Sequence, residues 1–357
     1  MRATSTAESQ PRRVLVKEPN WLGDLVISLP ALRAVRRAYP EAHLAVLVKQ
    51  DLAGFFEGLD GIDEVIAYDI TAGFRGMVDR WSVIGSVRAR GFDLAVVFPR
   101  SFQAALWMAT AGVRRRAGAA AQGRTWLLTD PARLPPSPPT RHQAGDYLAL
   151  VRETLGIDGS VEDVRLTAAP ARIAKLRAWL AQHRRGNGPL IAVAPTAAYG
   201  PAKEWPADRY AALIDAAHEV GGVECVLVGS VTERARCAAI AAASRSGGVV
   251  AAGETDVGDL VALLSLCAGF AGNDSGAMHV AGALGIPTVG IFGSTRPQRT
   301  GPLGPRTRVL YHQIACSPCL ERTCRFGHYD CLRRIGVADV VAALVDLGAL
   351  TTQARLR

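Results

Sequence analysis

Gly269-Phe270-Ala271-Gly272-Asn273-Asp274-Ser275-Gly276-Ala277-Met278-His279 is the stretch that decides the fold. A short apolar run stops at Asn273 and Asp274, and a helix opens at Ser275 and Gly276. This is a strand–turn–helix, and the exposed N–H groups and dipole at such a helix start form an anion site. Gly276 lets a phosphate approach the backbone, Ser275 adds a hydroxyl, and His279 stands one turn into the helix. A capped structural turn with a core histidine is the alternative. Just beyond, Thr288 to Phe292 reads as a second strand, followed by the loop Gly293-Ser294-Thr295-Arg296-Pro297 with further donors.

The same alternation runs back through the second half of the chain. Ile191 to Val193 and Cys225 to Val228 read as strands. Ala207 to Glu219, Glu233 to Ser244, Val257 to Leu266 and Met278 to Leu284 read as helices. The first half repeats the pattern with strands at Val14 to Val16, Ala45 to Val48, Glu64 to Ala67 and Leu94 to Val97. Its helices are Leu25 to Ala38, Val83 to Arg90 and Asp146 to Leu155. Short β-branched runs alternating with helices imply α/β architecture with parallel sheets. The expectation is two Rossmann-like domains facing a central cleft. They are residues 12–165 and 186–335. His183 to Pro189 serves as linker, and 336–357 as a C-terminal helix (Val337 to Leu347) and tail that crosses back to the first domain.

Composition agrees with a globular chain of two domains. Of 357 residues, 49% are hydrophobic and 20% charged, outside the range of disordered chains. No apolar run reaches the ~18–20 residues that cross a bilayer, and Met1 to Pro11 lacks the apolar core of a secretory signal. A cytoplasmic location is expected. The net charge of +9 is uneven: residues 1–185 hold 26 Lys+Arg against 18 Asp+Glu, and residues 186–357 hold 15 against 14. A basic first half attracts polyanions, whether nucleic acid, anionic headgroups or a phosphorylated substrate. A plain solvated basic surface is the alternative.

Three further motifs sit at strand-to-helix turns. Asn20-Trp21-Leu22-Gly23-Asp24 follows the first strand. Ligands of open α/β sheets bind at the carboxyl ends of strands, so Asp24 is either a general base at the cleft or the N-cap of the next helix. Pro195-Thr196-Ala197-Ala198-Tyr199-Gly200-Pro201-Ala202-Lys203-Glu204-Trp205-Pro206 follows the first strand of the second half. Lys203, one of four lysines in the chain, suits a diphosphate as a flexible point charge, and the Thr196 hydroxyl suits the same oxygens. Gly229-Ser230-Val231-Thr232-Glu233 places Glu233 as a ribose acceptor or as a first-turn acid. G-x-G-x-x-G and G-x-x-x-x-G-K-[ST] do not occur, which removes the main support for dehydrogenase and P-loop readings. Cys316-x2-Cys319, Cys324, His328 and Cys331 crowd one late segment; a structural metal, an oxidisable thiol cluster and a metal-free packed loop all remain open.

Taken in order, these motifs resemble the lipopolysaccharide heptosyltransferases, glycosyltransferase family 9, most of all the heptosyltransferase II type. The resemblance runs from about Val14 to Leu347. It is carried by Pro19 to Asp24, Tyr199 to Pro206, Asn273 to His279, Phe292 to Thr295 with Arg299 to Pro302, and Cys316 to Cys319 with Arg322 to Cys324 and Gly327 to Tyr329. It departs at Pro195-Thr196-Ala197, where a Pro-Gly-Ala type of loop is expected. The resemblance implies a GT-B fold, with residues 12–165 binding the acceptor and 186–335 the nucleotide-sugar, and an inverting transfer without a bound metal or cofactor. The implied donor is ADP-L-glycero-β-D-manno-heptose. The implied acceptor is the phosphorylated lipid A–core, met at the inner face of the cytoplasmic membrane. It implies Asp24 as base and Lys203, Ser275, Gly276 and His279 at the donor diphosphate. Asp274 matches an acid in that site, and Thr196 and Glu233 fall near it. On the acceptor side Arg75, Arg80 and Arg100 are the candidate contacts, with Arg88, Arg90 and the run Arg114-Arg115-Arg116 behind them. Phe74 and Trp81 are either membrane-facing or core aromatics. The competing classes are another glycosyltransferase, a nucleotide-sugar epimerase on the same fold, and a nucleic-acid-binding protein, for which no motif is present.

Overall fold

The computed structural model describes residues 10–73 and 75–351. Among them lie two six-stranded parallel sheets. The first is built from β1 (Arg13–Lys17), β2 (His43–Lys49), β3 (Glu64–Tyr68), β4 (Leu94–Val97), β5 (Arg115–Ala119) and β6 (Asp130–Ala132). The second is built from β7 (Leu190–Ala194), β8 (Glu224–Leu227), β9 (Val249–Val250), β10 (Gly269–Asn273), β11 (Thr288–Phe292) and β12 (Thr307–Tyr311). Their orders are 3-2-1-4-5-6 and 12-11-10-7-8-9. The second is the first read backwards, so each is a doubly wound sheet with one reversal point, between β1 and β4 and between β7 and β10.

In the first domain the helices are α1 (Leu22–Ala38), α2 (Arg75–Arg90), α3 (Phe102–Thr110) and α4 (Ala144–Leu155). Then follow α5 (Pro170–His183), α6 (Ala207–Gly221), α7 (Arg234–Ala243), α8 (Val257–Ser265) and α9 (Gly276–Ala283). Two single turns, α10 (Pro297–Thr300) and α11 (Asp330–Arg333), precede α12 (Val337–Asp346). The central strands β4, β7, β10 and β11 are buried on both faces, which is why they read as near-continuous apolar runs. Val14 and Val16 of β1 face one way and Leu15 the other, into separate apolar clusters. Ala192 and Ala194 of β7 belong to the same cluster as Val14 and Val16, while Ile191 and Val193 face away. One continuous apolar cluster therefore joins the facing sides of the two sheets, with Leu25, Leu29, Leu32 and Val35 of α1 and Leu263, Leu264 and Met278 between them.

Several elements differ from expectation. The span between the end of the expected first domain and the linker contains α5, started by Pro170 at its first turn, where proline's fixed φ suits a helix. α5 lies against α8, and its Arg172 reaches Glu57 of the first domain at 2.6 Å as well as Asp256 at 2.7 Å and Asp259 at 2.9 Å of the second. α12 does not cross back. Val340, Ala343 and Leu344 are buried against second-domain residues such as Ile214, Ala217 and Val289, and the helix lies on α6 and on strands β10 to β12. The tail beyond Thr351 and Phe74 lie outside the described residues. No helix among them is long and apolar enough to cross a membrane.

Candidate active site

Parallel strands end together, so the turns after β1, β7 and β10 converge at the two reversal points. α1 begins at Leu22, three residues before its amphipathic pattern starts, and its N-cap is Trp21. Asp24 therefore lies inside the first turn, and the N-cap alternative for it falls away. Its Oδ1 accepts a hydrogen bond from Gln143 Nε2 at 2.9 Å. Burial pushes the Asp24 carboxyl above its ordinary value; the Gln143 hydrogen bond and the Lys203 ammonium pull it back, and the negative Asp274 pushes it up again.

Opposite stands the N-terminus of α9. A Cβ added to Gly23 would sit 3.0 Å from His279 Cδ2, and one added to Gly276 would sit 2.9 Å from Leu22 Cβ. Two helix starts thus touch across the cleft, and both contacts require glycine. Gly276 thus also serves the contact with Leu22 of the first domain.

The charged groups of the second domain are packed together. Lys203 Nζ lies 2.6 Å from Asp274 Oδ2, and both side chains are largely buried. Thr295 Oγ1 donates to the same Asp274 oxygen at 2.6 Å. The ammonium also lies 4.9 Å from the centre of the Tyr199 ring. An ammonium has three donors, so Lys203 keeps capacity for a second anion while paired. His279 Nε2 is 3.9 Å from Asp274 Oδ1, beyond hydrogen-bond range. Burial lowers the His279 pKa to about 4, so the ring is neutral at pH 7. Ser275 Oγ, His279 Nδ1 and Ser294 Oγ are buried without a hydrogen-bond partner. Unsatisfied buried polar atoms are costly and concentrate at functional sites. Two of them, Ser275 Oγ and His279 Nδ1, lie in the first turn of α9 and fit a ligand that offers both donors and acceptors.

The neighbours of these residues explain why the motif is long. Asn273 Oδ1 accepts from Trp205 N at 2.9 Å and from the Tyr210 hydroxyl at 2.8 Å. Glu204 Oε1 accepts from Ala197 N at 3.1 Å, bracing the loop that carries buried Thr196. Trp205 is wholly buried and donates to Ile335 O at 3.0 Å. Glu233 forms a capping box with Ser230, its Oε2 taking the Ser230 N–H at 2.7 Å and hydroxyl at 2.8 Å. Of its two readings, the first-turn acid is the one these bonds display.

On the acceptor side, topology sorts the arginines. Arg75 and Arg80 begin α2, just after β3, and Arg100 follows β4, so all three lie at the edge where Asp24 lies. Arg88 and Arg90 end α2 at the opposite edge, where Arg90 pairs with Glu64 at 2.6 Å. Arg114, Arg115 and Arg116 open β5 at that same far edge. Arg114 pairs with Asp93 at 2.6 Å and Arg115 with Asp130 at 3.0 Å. These five leave the list of acceptor contacts. Arg124 was not anticipated. It is wholly buried, donates to Ala119 O at 2.9 Å and to Ser101 O at 2.8 Å, and so fixes the loop bearing Arg100.

All four late cysteines are free thiols, with Cys331 buried and Cys316, Cys319 and Cys324 half-buried. Among the described residues no group of three or more His, Cys, Asp or Glu is placed to hold a metal ion. The loop around them has a mechanical role: Arg322 O accepts from Ala202 N at 2.9 Å and Leu320 O from the Tyr199 hydroxyl at 2.6 Å. It thereby buttresses the turn that presents Lys203.

Paired doubly wound domains with a carboxylate facing a basic, helix-capped pocket define the GT-B class of nucleotide-sugar glycosyltransferases. Residues 80–330 match the model of glycosyltransferase family 9 (heptosyltransferase), and the chain belongs to that family. It is 30% identical to the lipooligosaccharide heptosyltransferase 2 of Haemophilus ducreyi, over 84% of this chain and 88% of that one. It is 29% identical to the lipopolysaccharide heptosyltransferase 2 of Escherichia coli, over 96% and 99%. Among solved structures it resembles the E. coli ADP-heptose lipopolysaccharide heptosyltransferase II, with a TM-score of 0.80 and 27% identity, covering 94% of this chain and 98% of that one.

Proposed function

We propose that this glycosyltransferase moves a heptose from ADP-L-glycero-β-D-manno-heptose to the inner-core heptose of lipopolysaccharide, with inversion. The observation that carries the chemistry is Asp24, a carboxylate of raised pKa on one domain, facing Lys203, Ser275 and His279 on the other. Inversion is one in-line displacement. Asp24 takes the proton of the acceptor hydroxyl as the oxygen attacks the anomeric carbon. The bond to the diphosphate breaks on the opposite face, and ADP leaves toward α9. A base whose pKa lies nearer to neutrality is better matched to that proton.

The leaving diphosphate gains charge as the bond breaks. The N–H groups of α9, the Ser275 hydroxyl and the Lys203 ammonium are placed to stabilise it, so the reaction needs no divalent cation. Thr196 and Glu233 lie on the donor domain, with Glu233 engaged in its capping box. Names of the relatives support the donor and acceptor.

Arg75, Arg80 and Arg100 are the proposed contacts for the phosphorylated lipid A–core. Met77, Val78 and Trp81 are exposed on α2 at positions that share a face, beside Arg75 and Arg80. Exposed apolar side chains flanked by cations suit a transient contact with the inner-membrane surface. The deciding assay incubates the enzyme with ADP-heptose and heptosylated Kdo2-lipid A, with and without excess EDTA. Product heptosylated once more, at equal rate in EDTA, supports the reading. Consumption of ADP-heptose without acceptor, or an absolute Mg²⁺ requirement, counts against it.

A further inference from the structure

The Asp24 carboxylate is held by a side chain that no motif contains. Gln143 stands immediately before α4, and its Nε2 is the one hydrogen-bond donor to Asp24 among the described residues, at 2.9 Å from Oδ1. The second oxygen is left for another partner. An aspartate without such a donor samples several rotamers, and a base must meet its proton within about 3 Å.

Gln143 is in turn placed by the other domain. Its backbone N–H donates to Arg299 O at 2.9 Å, and the ring of the preceding His142 lies 3.0 Å from Gly301 O through Nε2. The Arg299 guanidinium reaches back to Ser137 Oγ at 2.6 Å, Arg141 O at 2.8 Å and Asp146 Oδ2 at 2.8 Å. The Tyr147 hydroxyl, on the first turn of α4, lies beside the Gln143 amide. Every bond that sets Gln143 therefore belongs to α4 or to the segment Arg299–Gly301.

We propose that Gln143 is the positioning residue for the Asp24 base, and that docking of the Arg299–Gly301 segment sets it, so the base is oriented only while the two domains are apposed. The proposal rests on Asp24 being the base. It explains why an otherwise ordinary loop–helix junction is cross-linked to the second domain by both backbone and side chain.

Its signature is a pH profile. The groups facing Asp24 are Gln143 and Tyr147 from the α4 region and Lys203 and Asp274 from the second domain, with the neutral His279 ring against Gly23. Gln143 donates to the ionised carboxylate, so it favours the charged form. Its removal raises the Asp24 pKa, and the acidic limb of kcat moves to higher pH. A carboxylate in its place moves that limb further.

The experiment compares Gln143→Leu, the near-isosteric Gln143→Glu, Arg299→Ala and Asp24→Asn in the full chain. It measures kcat and donor KM across pH, with thermal unfolding as a fold control. Expected are a loss of ~10–100-fold in kcat at neutral pH for Gln143→Leu and a donor KM within ~3-fold of the parent, as for a group that acts on the base rather than on donor binding. The acidic limb should be ordered parent, Leu, Glu. Arg299→Ala should shift it the same way by less. An unchanged limb and kcat in both Gln143 variants, with Asp24→Asn inactive, overturns the positioning role and leaves the base assignment standing. A normal profile for Arg299→Ala overturns the domain coupling. Parent-like turnover by Asp24→Asn removes the base assignment and the proposal with it.

Discussion

Lys203 Nζ and Asp274 Oδ2 meet at 2.6 Å, with the carboxylate 4% and the ammonium 14% exposed. Each neutralises the other at the ends of adjacent strands β7 and β10. Breaking such a pair from one side leaves an uncompensated buried charge, which costs about 3–5 kcal/mol. Asp274→Ala should therefore destabilise the protein by about that amount in denaturant titration. Replacing both partners, as Lys203→Met with Asp274→Leu, should restore much of the stability while abolishing transfer. Equal loss in the single and double variants would show that the pair carries no such burden.

The contact of the two helix starts is a steric matter. Gly276→Ala places a Cβ 2.9 Å from Leu22 Cβ, and Gly23→Ala places one 3.0 Å from His279 Cδ2. Each domain can keep its own core, since the clash lies between them. A displacement of under an ångström is enough to misalign reacting groups, and ~10–100-fold in kcat is the expected loss, with far-ultraviolet circular dichroism unchanged. Full activity in both variants would show that the helix starts need not touch for transfer.

His279 and Glu18 predict opposite pH trends in stability. The folded His279 pKa is about 4 against an ordinary 6.5. Between those values the unfolded chain binds the extra proton, so stability falls as pH drops from 6.5 to 4. Glu18 is wholly buried, its pKa raised by burial to about 8 from 4.5, with Ser28 Oγ donating to Oε2 at 3.0 Å. There the folded protein binds the extra proton, so stability falls as pH rises from 4.5 to 8, by about 1.4 kcal/mol per unit. Glu18→Gln should thus stabilise the protein near pH 8, and the gain should vanish below pH 4.5. Denaturant midpoints across pH measure both; a pH-independent Glu18→Gln difference contradicts the assignment.

The proposed membrane contact of α2 offers a test in solution. Met77→Ser with Trp81→Ser should reduce co-sedimentation with vesicles containing anionic lipid by several-fold, since both side chains are exposed and apolar. Turnover of a detergent-solubilised acceptor should change little. Unaltered vesicle binding would move the contact elsewhere.

Much of the candidate site is legible along the chain because its residues sit where strands stop. Asp24, Lys203, Asp274, Ser275 and His279 each follow an apolar run by a few residues, and parallel strands bring such positions to one edge. Gln143 and Arg124 gave no local signal, and the Arg299 to Pro302 motif gave no sign of what Arg299 contacts. Their roles come from partners far away in sequence, 119 positions in the case of Gln143 and Asp24. The arginines show the same limit from the other side: composition marks the first half as basic, but only strand direction separates Arg75, Arg80 and Arg100 from Arg114 to Arg116. Four strands are not legible in the sequence; β12 (Thr307-Arg308-Val309-Leu310-Tyr311) is a half-exposed edge strand with no continuous apolar run, and the other three are weak. β5 opens on two arginines, β6 carries Pro131 as edge strands tolerate, and β9 has two residues. α3 is apolar around most of its surface, which hides helical periodicity.

Asp24 as the base of a heptosyl transfer is the central claim, and Asp24→Asn tests it most directly. ADP-heptose turnover with heptosylated Kdo2-lipid A is measured beside ADP affinity by calorimetry, for the parent and the variant. Loss of a general base costs ~10²–10⁴-fold in rate, so kcat should fall by that factor while ADP binds with near-parental affinity. Transfer by Asp24→Asn at the parental rate would contradict the account.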